Sequence, residues 1–447
     1  MIVSIDSQVG CFCMKHIYSH TQKAKVKKNK SHGERLLSVG VYMDNAAAMP
    51  IEKGAQEEVD RGMKIYGNPS SFNNIGRQAS KELARARLIV ARFLDAHQEE
   101  VVFTGSGSEA NNLAIQGVAR NFQFPISNFQ IKSKYQNSKP HIITTKIEHP
   151  SVLEPIRQLE NDGFEVTYLL VDKEGFIDLK EFQKALRPET VLVSVMYANN
   201  EIGTIEPITK IGKIIKEFRK KMENGKWKME NHEKAYPLFH VDACQAAGSL
   251  NMSVNSLQAD LLTFNGSKIG GPRGVGVLYI RKGITLAPFV LGGGQEKGLR
   301  AGTENLPAIM GMAKAIELIK DDESDMLVKL RDYFISKIKG LGLEIVLNGP
   351  VDDRRLPNNI NISVPKLDSE NLLLELDKYG ISAGSGSACT ARSVEPSHVL
   401  KAIGVEKKYL SGALRFSMGK QTTKKELDYV LKVLPKIIQD LKKRYGK

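Results

Sequence analysis

From Val41 onward, short apolar runs alternate with segments whose apolar residues recur every three or four positions. VVFT (101–104), HIITT (141–145), EVTYLLV (165–171), TVLVSVMYA (190–198) and PLFHVDA (237–243) have the length and β-branched content of buried strands. LLTFNGSK (261–268) and GVGVLYI (274–280) follow. Helical patterns separate the earlier runs: GSGSEANNLAIQGVAR, SVLEPIRQLE, DLKEFQKAL and PITKIGKIIKEF. Strand then helix, repeated, predicts an α/β fold with a mainly parallel seven-stranded sheet between helices. Near Asp321 this rhythm ends. Long helical patterns with short strands between them, ending in KKELDYVLKVLPKIIQDLKKRYG, predict a smaller α+β domain. The expected division is a large domain over 58–323 and a small domain made of 41–57 with 324–447.

Three stretches break the pattern. Residues 121–140 and 221–234 are polar insertions that read as solvated loops; the second holds the only tryptophan, Trp227. Exposed, Trp227 would be a partner contact. Residues 1–40 carry no apolar period and include AKVKKNKSHGER, which reads as a flexible basic extension. A targeting segment is the alternative, weakened by an excess of Lys over Arg and by the early acid Asp6. Cys11 and Cys13 cannot by themselves complete a tetrahedral metal shell.

At 447 residues, 41% hydrophobic and 26% charged, the chain is not a mostly disordered one. The net charge is +14, and the first forty residues hold only seven basic and two acidic groups, so the surplus is spread along the chain. A nucleic-acid domain does not follow from such a distribution. Four cysteines without a CxxC pair argue against a disulfide scaffold and a zinc ribbon. No apolar run approaches the ~20 residues that cross a bilayer. The expected setting is a reducing, soluble compartment: the cytoplasm, with organelle targeting by residues 1–40 left open.

Three motifs carry candidate chemistry. FTGSGSEANN (103–112) passes from a strand through a Gly/Ser turn to a helix expected to begin near Glu109. Its unpaired N–H groups suit an anion such as phosphate, or simply make a tight turn. HVDACQAAG (240–248) places Asp242 at a strand end, and FNGSKIGGPRG (264–274) places Lys268 at another. A desolvated lysine is a usable amine nucleophile, and Asp242 is a candidate acid for the pyridine nitrogen that a lysine Schiff base requires. SAGSGSACTARSVEPSHVL (382–400) surrounds Cys389 with small residues, which suits an accessible thiol, whereas Cys244 among alanines reads as core.

With IEHPSVL, YANNEIGTIEP, HVDACQ, NGSKIGGPRGVG, RAGTEN, SGSACT…EPSHVL and LRFSMG in this order, the chain from about Tyr42 resembles the group I cysteine desulfurases. These are pyridoxal-phosphate (PLP) enzymes of the class V aminotransferase superfamily. The resemblance implies a large PLP-binding domain and a small domain that carries the catalytic cysteine. Lys268 would hold PLP covalently, Asp242 would pair with its pyridinium nitrogen, and His149 would stack on the ring and serve in proton transfer. Asn200 and Gln245 would bond the phenolic oxygen region. Gly107, Ser108, Asn265, Ser267 and Thr303 would bind the phosphate, Thr303 that of the neighbouring subunit in a homodimer. Arg415 would clamp the substrate carboxylate, and Cys389 would take the sulfur of L-cysteine as a persulfide. The partners implied are L-cysteine and an iron–sulfur scaffold or tRNA-thiolation protein, with no direct nucleic acid, membrane or metal. Another class V enzyme, a selenocysteine lyase or an aminotransferase, is the alternative. Two departures stand out. Ser267 replaces the usual histidine, which implies altered phosphate holding, and DNAAAMP (44–50) replaces a hydroxyl-bearing run.

Overall fold

A computed structural model describes residues 40–123, 139–224, 236–320, 322–386 and 396–445 of the protein. The extension with Cys11 and Cys13, Trp227 and Cys389 lie outside the described residues. The fold begins with β1 (Val41–Tyr42), α1 (Lys53–Met63) and α2 (Asn74–Phe93). It continues with β2 (Val101–Thr104), α3 (Gly107–Gln123), β3 (His141–Thr145), α4 (Pro150–Asn161), β4 (Glu165–Leu169) and α5 (Leu179–Ala185). β5 (Thr190–Met196), α6 (Ile208–Asn224), β6 (Leu238–Asp242), α7 (Val254–Leu257), β7 (Leu261–Asn265) and β8 (Gly276–Ile280) follow. The last part holds α8 (Leu306–Glu317), α9 (Asp322–Lys339), β9 (Val346–Asn348), β10 (Asn359–Ser363), α10 (Ser369–Lys378), β11 (Ile381–Ser382), α11 (His398–Ala402), α12 (Lys407–Leu410), β12 (Ala413–Ser417) and α13 (Lys424–Tyr445).

Strands β2 to β8 form one seven-stranded sheet in the order β2-β8-β7-β6-β5-β3-β4. Only β8 runs against the rest, pairing antiparallel with both β7 and β2. The sheet is buried on both faces, which is why its strands read as continuous apolar runs. Successive residues serve opposite cores. Phe103, Val193, Val241 and Phe264 join the core under α2, α6 and α8, while Val102, Leu192, Leu238 and Leu261 join the core under α3 and α4. Because six strands point the same way, β2, β3, β5, β6 and β7 all deliver their C-terminal ends to one sheet edge, where open α/β folds bind ligands.

A third core joins Met43, Phe334 of α9, Ile360 and Ile362 of β10, Leu414 and Phe416 of β12, and Leu434 of α13. Strands β12, β10 and β9 form an antiparallel sheet with Asn361 opposite Arg415. Burying Leu414 and Phe416, about 1.5–3 kcal/mol each relative to exposure, fixes the strand's register. The same register turns Arg415 to the opposite face, toward the end of β5.

Candidate active site

The converging strand ends enclose a cavity of about 190 Å³. It is lined by Gly107, Ser108, His149, Asn200, Asp242, Gln245, Asn265, Ser267, Lys268 and Arg415, with Ala46, Ala47, Ser151 and Cys244. Ten site residues expected from the sequence are thus brought together. Thr303 is exposed and is not part of this wall.

Helix α3 begins at Gly107, two residues before the expected start. Glu109 is already inside its first turn: its Oε2 accepts the Gly105 N–H at 2.8 Å, while its own N–H reaches Ser106 Oγ at 3.1 Å. Arg300 Nε holds the other oxygen of Glu109 at 2.8 Å. A Cβ on Gly107 would lie 2.8 Å from both Asn265 Nδ2 and Cys244 Sγ, so the helix start can approach the ends of β6 and β7 only as glycine. Cys244 is therefore a wall residue of the cavity, not the core residue its alanine neighbours suggested. Burial, with the Asp242 charge beside it, pushes its thiol well above the usual range.

Asp242 is buried, and both its oxygens are held. Asn111 Nδ2 donates to Oδ2 at 2.7 Å and the Cys244 N–H to Oδ1 at 3.0 Å. Asn111 Nδ2 also reaches Ser151 Oγ at 2.9 Å, and Ser151 Oγ lies 2.8 Å from His149 Nδ1. The Ser151 N–H donates to that same Nδ1 at 3.1 Å. Nδ1 is thus an acceptor, and a neutral His149 carries its proton on Nε2. His149 is the N-cap of α4, so one ring nitrogen is tied to the helix start. Asn111 lies in FTGSGSEANN and Ser151 in IEHPSVL, but neither stretch by itself assigns them a role, because their contact crosses from α3 to α4.

Lys268 lies in a 3₁₀ turn, Gly266–Lys268, after β7 and not in the strand itself. Its Nζ donates to the carbonyl oxygens of Ala46 and Ala47, each at 2.6 Å, and Gln245 Nε2 donates to Ala46 O at 3.0 Å. Ala46 and Ala47 of the DNAAAMP segment thus act through their backbone carbonyls. Ser267 Oγ donates to Asn265 Oδ1 at 3.1 Å. Arg415 is buried; Nη1 donates to Asn200 O at 3.1 Å and Nη2 to Asp44 Oδ1 at 2.8 Å, while Nε has no partner among the described residues.

These residues fit PLP. A glycine-opened helix start can take a phosphate, a fixed carboxylate can face a pyridine nitrogen, and a lysine amine can meet an aldehyde. The unpartnered, buried Arg415 Nε suits the carboxylate of an amino acid. Among the described residues no cluster of three or more His, Cys, Asp or Glu side chains could hold a metal, and no helix is long and apolar enough to cross a membrane.

Beside the cavity, Glu148 is wholly buried. Its Oε1 accepts from Thr145 Oγ1 (2.8 Å) and the Met196 N–H (2.9 Å), and Oε2 has no partner among the described residues. Burial pushes its carboxyl up to about 8, from an ordinary 4.5. Between those values the folded protein keeps a proton that the unfolded chain has lost, so this group's contribution to stability falls as pH rises through the window. Glu148→Gln mimics the neutral acid. It should raise Tm at pH 8.5 by about 3 °C, since at roughly 2.1 cal/mol/K per residue each kcal/mol moves the Tm of a 447-residue chain by about 1 °C, and leave it unchanged at pH 4. An equal shift at both pH values would contradict a protonated Glu148.

The family described as aminotransferase class-V matches residues 41–223 and 225–430. The chain is 45% identical over 406 residues to cysteine desulfurase IscS of Dictyoglomus turgidum, covering 90% of this chain and 95% of that protein. It is 40% identical over 411 residues to a cysteine desulfurase of a Nostoc species, covering 90% and 94%. Among solved structures it is similar to a NifS-like protein, with a TM-score of 0.78 and 34% identity over 90% of this chain and all of that one. It is also similar to SspA in complex with cysteine, with a TM-score of 0.70 and 32% identity over 86% of this chain and 100% of that one.

Proposed function

The chain belongs to the aminotransferase class-V family and is a cysteine desulfurase; we propose that it uses PLP, converts L-cysteine to L-alanine and takes the sulfur on Cys389 as a persulfide. One observation carries this reading. A lysine amine, a doubly held buried carboxylate and a buried arginine with an unpartnered Nε share one cavity.

Bound PLP supplies an electron sink for the negative charge that develops at the substrate Cα. The N–H groups at Gly107 and Ser108, with Asn265 and Ser267, hold its phosphate. Asp242 keeps a proton on its pyridine nitrogen, and Asn111 and the Cys244 N–H keep Asp242 aimed. His149 stacks on the ring and presents Nε2–H. Asn200 and Gln245 bond the phenolic oxygen region. Arg415 binds the substrate carboxylate, and Lys268 Nζ takes the α-proton, with His149 as the alternative base. Cys389 attacks as the thiolate. The S–S bond forms as the C–S bond breaks, the electron pair stays with the substrate Cβ, that carbon takes up a proton, and Lys268 Nζ returns a proton to Cα before L-alanine leaves. The persulfide then passes to an iron–sulfur scaffold or tRNA-thiolation protein. The reading sets this chemistry in the cytoplasm, with targeting by residues 1–40 as the alternative. Residues 58–323 act as the large domain, and 41–57 with 324–447 as the small one.

The test is to incubate the purified protein with L-cysteine and a reductant and to measure alanine and sulfide together. Equal amounts are expected. Alanine without sulfide or persulfide, or neither product, would overturn the reading.

We further propose a two-fold homodimer with shared sites. Thr303 is exposed and absent from its own chain's cavity wall. Apolar side chains stand exposed on the loop between α1 and α2, Tyr66 by 82% and Phe72 by 94%, and on the stretch before Thr303, Leu291 by 77%. Lys268→Ala and an inactive Thr303 variant, co-expressed with two tags, should regain activity in the mixed dimer, because one of its two sites then has both residues intact. If Thr303 served its own chain, every site would lack one group and the mixture would stay dead.

A further inference from the structure

The segment that carries Cys389 is flanked by Gly386 and Ser397, and both lie against one buried carboxylate. Glu201 is 1% exposed, and its Oε2 accepts a hydrogen bond from Ser397 Oγ at 2.5 Å. On the other flank, a Cβ on Gly386 would lie 3.0 Å from the same Oε2, and Gly386 has φ +144°. Glycine alone brings the backbone so close in that conformation without strain.

Glu201 is fixed in turn. Its N–H donates to Asn199 Oδ1 at 2.9 Å, and its carbonyl accepts from Asn359 Nδ2 at 3.2 Å and Asn361 Nδ2 at 3.1 Å. Ser397 Oγ, besides donating to Glu201, accepts the N–H groups of Val399 (3.1 Å) and Leu400 (3.3 Å) at the start of α11. The next residue, His398, places Nε2 2.9 Å from the carbonyl oxygen of Glu148, directly before His149. Among the described residues no cation pairs with Glu201. A buried carboxylate without one is costly, and packing alone would be served by an apolar or amide side chain.

We infer that Glu201 is a positioning residue for Cys389. Through the Ser397 hydrogen bond and the close approach of Gly386, it clasps, beside Asn200, the two ends at which the cysteine segment leaves and rejoins the described fold. The inference rests on Cys389 as the sulfur carrier.

The test uses full-length, cofactor-loaded Glu201→Ala, Ser397→Ala, Glu201→Gln and the Glu201→Ala/Ser397→Ala double variant. Two readouts are taken: kcat and KM for alanine formation, and the rate at which iodoacetamide labels Cys389 without substrate, followed by peptide mass. Both alanine variants should lose about tenfold to a hundredfold in kcat, the scale of a misplaced reacting group. Their KM and cofactor absorbance should stay near wild type, and their labelling rate should change severalfold. Glu201→Gln should recover most of the kcat, since its amide oxygen can still accept the Ser397 hydroxyl. The double variant should be no worse than either single one. Unchanged kcat and labelling in both alanine variants would overturn the inference. So would a loss of Tm and cofactor content with kcat per bound cofactor intact. If Glu201→Ala does not fold, Ser397→Ala decides alone. If the wild type forms no alanine, the desulfurase reading fails, while the labelling comparison still tests the clasp.

Discussion

Lys268→Ala is expected to give a folded protein without the visible absorbance of covalently held cofactor and without alanine production. In the wild type, Nζ is held by the carbonyls of Ala46 and Ala47 at 2.6 Å each, inside a cavity that Asp242 and Arg415 also line. Among the described residues no other lysine lines that cavity, so none of them offers a second amine for attachment. Losing proton transfer alone costs about 10²–10⁴-fold, and losing attachment adds to it. Two carbonyls then lose a charged donor. They are partly buried, so a fall in stability of about 1–3 kcal/mol is expected, which a protein of this size survives. Absorbance, alanine formation and Tm should be read on the same sample. Retained activity with a normal spectrum would remove Lys268 from the assignment.

What the sequence made legible is what strand ends make legible. Asp242, Asn200, Gly107 and Lys268 follow apolar runs that could only be buried parallel strands, and six strands pointing one way must bring such residues to one edge. Arg415 is named in the sequence only by the resemblance that LRFSMG carries; the structure supplies its reason, since Leu414 and Phe416 face the core and leave residue 415 for the other side. The parts that escaped have no residue-type signal. Ala46 and Ala47 act through carbonyl oxygens, which every residue has. Asn111 and Ser151 join Asp242 to His149 across sequence separations of 131 and 40, and only the docking of α3 beside α4 brings them together. Cys244 was misplaced because an Ala-rich neighbourhood resembles a core, whereas the chain leaves the sheet directly after Asp242. Asp44 was visible in DNAAAMP, but its ion pair with Arg415 needs the pairing of β1 with β11 to place it.

Cys389→Ser is expected to separate binding from sulfur transfer. No described residue that lines the cavity is altered, so the cofactor absorbance and its change on adding L-cysteine should match wild type. Alanine formation should fall by at least about 100-fold, because a hydroxyl is a far weaker nucleophile toward sulfur than a thiol, which is a few per cent thiolate at neutral pH. Cys244 cannot substitute. Burial and the neighbouring Asp242 charge hold its thiol protonated, and the thiol is the weaker nucleophile by far in that form. Incubation with sulfur-labelled L-cysteine followed by peptide mass should therefore find the wild-type label on Cys389 and none on Cys244. In the serine variant no protein-bound label should remain. Label on Cys244 in either protein, or alanine formation at wild-type rate in the variant, would show that the sulfur leaves the substrate by another route.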